Sequence, residues 1–91
     1  MTSEEFLRHL RDQKPFPRGK VTAYQNVLEE CFRQDKMWGA NRALPPTVWL
    51  TILVEEVGEV ARAIQTEPDE SLKAELTQVA AVAINWLKSL Q

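Results

Sequence analysis

The chain has 91 residues, 44% of them hydrophobic and 26% charged, which excludes a disordered chain and leaves room for one domain. A net charge of -2 and an isoelectric point near 5.4 supply no basic stripe, which argues against wrapping a nucleic-acid backbone. One cysteine, Cys31, and one histidine, His9, exclude an internal disulfide framework and leave too little for a thiolate–imidazole zinc site.

Thr2-Ser3-Glu4-Glu5 fits a capping box, with Thr2 as the cap and Glu5 reaching back. It opens a short helix carrying Phe6, Leu7 and Leu10 on one side. The stretch from Lys14 to Gly19, with Pro15 and Pro17 inside it, ends that helix. Residues 1–19 therefore read as a short helix and a proline-rich linker within a single 1–91 domain. A second helix is predicted from about Val21 to Trp38. Val21, Tyr24, Leu28, Cys31 and Phe32 form its stripe, and Gly39 suits the stop. Gly39 to Leu44 reads as a loop. Pro45 and Pro46 then favour a helix start, because proline at the first helical position gives up no backbone bond. This third helix runs to about Gln65 and aligns Leu50, Leu53, Val54, Val57, Val60, Ala61 and Ile64 on one face. Thr66-Glu67-Pro68-Asp69 reads as a turn with its own capping groups. A fourth helix spans about Asp69 to Leu90, with Leu72, Leu76, Val79, Ala83, Trp86 and Leu90 as its main stripe.

No segment alternates with period two, so the class is all-α, with the last two helices as an antiparallel hairpin. More apolar residues lie beyond the main stripes: Trp49, Ile52 and Ala63 on the third helix, Ala80, Ala81 and Ile84 on the fourth. One short chain cannot cover them all. The expectation is a symmetric homo-oligomer, a homodimer or homotetramer, that completes a helical bundle. The start MTSEEFLRHL has no apolar core or cleavage pattern, and no apolar run approaches the roughly 20 residues of a membrane span. A soluble, cytoplasmic chain with no membrane partner is expected.

Three glutamates stand in an otherwise apolar stretch, LVEEVGEVARAI. At about 100° per residue, with Val57 at the centre of the face, Glu56 lies at its edge and Glu59 further round on the same side. Glu55 lies close to the opposite side and is the most solvent-facing of the three. On the fourth helix Glu75 falls within the apolar half, among Leu72, Val79 and Val82, and Gln78 and Asn85 extend its line. No lysine or arginine of either helix shares these two lines, and an unpaired carboxylate among apolar groups is costly. The hairpin would gather Glu56, Glu59 and Glu75 into a partly buried acidic cluster. Its all-oxygen donors suit a hard cation, Mg2+ or Mn2+. Against this stands a plainer reading: helical EExxE also decorates solvated faces, and a buried glutamate can be a packing residue.

Glu55-Glu56-Val57-Gly58-Glu59, then Glu75-Leu76-Thr77-Gln78, then Asn85 resembles the MazG-like all-α nucleoside triphosphate pyrophosphohydrolases, whose pattern is EExxE, a spacer and ExxD. The resemblance covers about residues 36 to 90. It implies Mg2+-dependent hydrolysis of a nucleoside triphosphate to the monophosphate and pyrophosphate, housecleaning of unwanted dNTPs, and symmetric oligomers whose subunits close the site. By position, Glu56, Glu59 and Glu75 look like metal ligands. Gln78 stands where the family has an aspartate, and its oxygen can ligate Mg2+ without bringing a charge. Asn85 matches a polar residue facing the nucleotide, and Trp38 an aromatic residue against the base. Glu55 is either the acceptor of the attacking water's proton or a surface charge.

Lys36 and Arg42 flank the loop after Trp38 and are either phosphate contacts or solvated charges. Trp49 and Trp86 read as core or subunit interface, Arg62, Lys73 and Lys88 as surface charges, and Cys31 as a small buried hydrophobe. A catalytically inactive helical interaction module of the same fold is the alternative function, and Gln78 is the feature that favours it.

Overall fold

The computed structural model describes residues 2–12, 18–66 and 68–91, and these form four helices with no strand among them. They are α1 (Ser3–Asp12), α2 (Arg18–Trp38), α3 (Pro46–Thr66) and α4 (Asp69–Ser89). The expected all-α class and C-terminal hairpin are present. Lys14, Pro15, Phe16, Pro17 and Glu67, and the side chains of Leu7, Leu10 and Thr66, lie outside the described residues.

Local chemistry sets the ends. Thr2 Oγ1 accepts the Glu5 amide at 3.1 Å, the forward half of the capping box. α2 begins three residues earlier than its stripe implied, at Arg18, so Gly19 lies inside it. Gly39 closes α2 with φ +98°, a conformation that favours glycine, and donates to the Asp35 carbonyl at 2.8 Å. The Pro45 carbonyl accepts from Val48 and Trp49, which leaves Pro46 as the first residue of α3. The turn before α4 differs from expectation. Pro68 caps that helix in an extended conformation and no side chain bonds to the exposed amides. The Pro68 carbonyl accepts from Ser71, and Asp69 and Glu70 complement the helix dipole instead.

α2 and α3 each pack on α4 and not on each other, and α1 packs on none of the three, among the described residues. Cys31–Ala81, Gln34–Asn85 and Asp35–Lys88 contacts advance together along both helices, so α2 runs parallel to α4. Trp49 stacks on Trp86 with ring centroids 6.5 Å apart and planes 4° from parallel, while Glu56 lies beside Glu75. That order is reversed, as the antiparallel α3–α4 hairpin requires. No helix among the described residues is long and apolar enough to cross a membrane.

The faces of α3 are inverted relative to the sequence reading, while α4 is mixed, with Leu72, Val79 and Trp86 of its expected stripe half-buried and Ile84 exposed. Trp49, expected to need a second copy, is 1% exposed within one chain, and Ala63 and Ala81 are also buried. Of the expected α3 stripe, Leu50, Val54, Val57 and Ile64 are exposed, Val54 by 59%. Leu76, Leu87 and Leu90 of α4 are exposed likewise, and so are Tyr24, Leu28 and Phe32 of α2. The physical reason is that α3 and α4 are apolar on two sides. A 3.6-residue period finds both sides and cannot choose between them. The choice falls to shape. Small Ala81 lets α2 approach α4, and the paired indoles fill the hairpin's open end.

Candidate functional site

α4 forms the floor of a groove and α2 and α3 form its walls. Here the structure holds a cavity of about 490 Å³. α2 contributes Arg33, Gln34 and Trp38. The loop adds Arg42 and Leu44, α3 adds Trp49, Ile52, Glu55 and Glu56, and α4 adds Gln78 and Val82. An apolar wall with a few convergent polar groups is the make-up of a small-molecule site.

Glu56 reaches this cavity from α3, and its Oε2 is buried with no hydrogen-bond partner. The Oε2 of Glu75 on α4 is buried and unpartnered too. Burial first, then the charges of Glu75, Glu59, Glu30 and Glu55 in that order, hold the Glu56 carboxyl above its ordinary range. An orphaned, repelled carboxylate oxygen is costly in a finished core. Two of them on facing helices, with Gln78 lining the same cavity as Glu56, make an all-oxygen donor set of the kind that fits a hard cation. Among the described residues no three His, Cys, Asp or Glu side chains are gathered closely enough to hold an ion by themselves.

Glu59 behaves differently. Its carboxylate accepts from Arg62 one helical turn further on, and it is partly exposed. The expectation that no basic residue shares the acidic lines is corrected here. Arg62 is exposed, as a surface charge should be, and an i,i+3 step places it against Glu59. Lys88, also read as a surface charge, bonds to Asp35 across the helices at 3.1 Å.

Glu55 is exposed yet lines the same cavity as Glu56, nearer the site than its angular position implied. Trp38 and Arg42 line it too. The Arg42 guanidinium lies 5.6 Å from the Trp38 ring centre and 4.9 Å from that of Trp49, a cation between two indole faces. Lys36 is exposed and lines neither this cavity nor the neighbouring one. Asn85 is 3% exposed, and its Nδ2 donates to Gln34 Oε1 at 3.0 Å. It borders a smaller cavity of about 220 Å³ with Asp35, Asn41, Arg42, Trp49 and Lys88, which neither Glu56 nor Glu75 lines.

Residues 45–90, half of the chain, match the family model described as the MazG nucleotide pyrophosphohydrolase domain. The chain belongs to the MazG family. Comparison with curated proteins and with solved structures finds no match. The matched MazG segment is the α3–α4 hairpin with Pro45, its cap, at one end. α2, which supplies the opposite wall of the groove, lies outside the match.

Sequence reasoning missed the α2 wall. Gln34 is buried beside Cys31 on the inward side of α2 and Arg33 reaches the cavity from its exposed edge, and the polarity of both drew the apolar stripe round to Tyr24, Leu28 and Phe32 instead. It also gave Trp49 to the core or a subunit interface and not to the site. Trp49 lines both cavities, and its buried Nε1–H has no partner.

Proposed function

We propose that this MazG protein hydrolyses a (deoxy)nucleoside triphosphate to the monophosphate and pyrophosphate with Mg2+, Mn2+ being an alternative ion, as part of nucleotide-pool housecleaning. The observation that carries this reading is the pair of unpartnered, buried carboxylate oxygens on facing helices, on Glu56, which lines the groove cavity, and on Glu75 beside it. Glu56, Glu75 and the Gln78 side-chain oxygen would hold the ion, Glu59 would join by leaving Arg62, and triphosphate oxygens would complete its shell. Bound there, the ion would polarise the phosphorus under attack and offset the charge of the phosphates.

The chain's own side chains do the rest. Glu55, exposed on the lip beside Glu56, accepts the proton of the attacking water. Trp38, half exposed at the cavity beside Arg42, receives the base on its flat indole face. Lys36 lies outside the cavities and is left to solvent. No nucleophilic side chain is required, because positioning and charge stabilisation suffice for phosphoryl transfer.

The active form in this proposal is a homo-oligomer. Leu50, Val54, Val57, Ala61 and Ile64 follow one another in alternating steps of four and three residues on α3. Leu76, Ala80, Ala83, Leu87 and Leu90 do the same on α4. Most of these residues are exposed, and such spacing is that of a bundle seam. A second copy set against both seams completes a four-helix core.

The experiment is a pyrophosphate-release screen over all dNTPs and NTPs with Mg2+. Release from at least one of them supports the proposal. No release from any, together with no thermal stabilisation by Mg2+ and nucleotide, would hand the fold to the interaction-module reading.

A further inference from the structure

Arg33 serves no purpose yet. It stands on α2 at the divide between the groove cavity and a second hollow bordered by Glu30, Lys73, Thr77 and Gln78. Its Nε donates to both carboxylate oxygens of Glu30, at 2.5 and 2.8 Å, and its Nη1 to the Met37 sulfur at 2.8 Å. The Glu30 side chain is only 10% exposed, so this is not a pair of freely moving surface groups. Two contacts fix the fork from one side. Nη2 has no partner among the described residues, and the side chain as a whole remains half exposed.

The hydrogen bond to Glu30, then the charges of Glu30 and Glu56, raise the Arg33 pKa against the opposing effect of burial. The Glu56 carboxylate is therefore within electrostatic reach across the groove. A triphosphate held through an ion at Glu56 and Gln78 would carry its remaining negative oxygens along the groove, and among the cavity's lining residues only Arg33 and Arg42 are cationic. Arg42 is engaged between two indoles. Arginine matches the geometry of phosphate oxygens with paired N–H donors.

We propose that Arg33 is the phosphate-binding residue of the groove, gripping the outer two phosphates, and that Glu30 is the positioning residue that aims it. This rests on the hydrolysis reading above and extends it to the α2 wall. In the reaction the water oxygen bonds to the α-phosphorus, and the bond from that phosphorus to the bridging oxygen breaks. The electron pair stays on the departing pyrophosphate, and the water's proton passes to Glu55. Arg33, bonded to the pyrophosphate oxygens, meets the charge that develops there.

The test is calorimetric titration of inorganic tripolyphosphate, with Mg2+ present, into wild type, Arg33→Ala, Arg33→Lys, Glu30→Gln and Glu30→Asp. Wild type binds. Arg33→Ala weakens binding about ten- to a hundredfold, the effect of losing charge-assisted hydrogen bonds. Arg33→Lys lies between, since an ammonium keeps the charge without the fork. Glu30→Gln weakens binding several-fold, Glu30→Asp restores most of it, and melting temperature does not follow this order. Unchanged affinity in Arg33→Ala, or no binding by wild type, overturns the proposal. If Arg33→Ala fails to fold, Arg33→Lys decides by the same comparison. Loss of tripolyphosphate binding in Arg33→Ala with no pyrophosphate release by wild type would uphold Arg33 and sink hydrolysis. Release with an unaltered Arg33→Ala would do the reverse.

Discussion

Asn85→Ala separates a structural amide from a substrate contact. Asn85 Nδ2 donates to Gln34 Oε1, and both side chains are at least 97% buried. Truncation leaves the Gln34 oxygen in the interior without a donor, and an orphaned buried group costs about 1–3 kcal/mol. For a domain of this size each kcal/mol lowers the melting temperature by roughly 4–8 °C, so a fall of about 5–20 °C is expected. Gln34→Ala should cost a similar amount, and the double variant less than the sum, with a coupling of about 0.5–3 kcal/mol. The assay is thermal melting of the four proteins at one concentration, followed by nucleotide affinity well below the lowest melting point. Additive losses would refute the paired-amide account. A variant that melts like wild type but loses nucleotide affinity would return Asn85 to the substrate.

Further outcomes follow from the same structure. The raised Glu56 pKa means that the native state holds its proton to higher pH than the unfolded chain does, whose glutamate titrates near 4.5. Apo stability should therefore fall as pH rises through the window above 4.5, and urea melts of Glu56→Gln should lose that part of the slope. Gln78→Asp adds a charge to the cavity that Glu56 lines. Calorimetry should show tighter Mg2+ binding, and no change would place Gln78 outside the ion's reach. Leu87→Asp puts a charge into the exposed α4 seam, where the wild-type residue is 58% exposed, and light scattering should show the oligomer reduced to smaller species. A wild-type monomer at micromolar concentration would contradict the seam itself.

Prolines, glycines and caps made the four helices legible, because turn chemistry is local. Pro46 and Gly39 bound their helices where the sequence placed them. The acids of the hairpin were legible too, since Glu56 and Glu75 stand out among apolar neighbours. Two things were not. Which apolar face turns inward depends on volume at single positions, such as the Trp49–Trp86 stack and the small Ala81, and hydrophobic spacing does not encode volume. The α2 wall was hidden because Arg33 and Gln34 are polar residues whose place follows from three helices meeting, not from their own neighbours in sequence. Angular position misled as well at Glu55, since a long side chain on the lip can border a cavity that its backbone faces away from.

The central claim is that Glu56 and Glu75 hold an ion against a triphosphate, and one measurement addresses it most directly. Mg2+-dependent pyrophosphate release should be compared among wild type, Glu56→Gln and Glu75→Gln on the best nucleotide of the screen. The account predicts release by wild type that EDTA abolishes, and rates near background for both variants while their apo melting temperatures stay level or rise. Equal release in all three proteins, or lower apo stability with an intact Mg2+ response, would contradict it and make the two carboxylates packing residues.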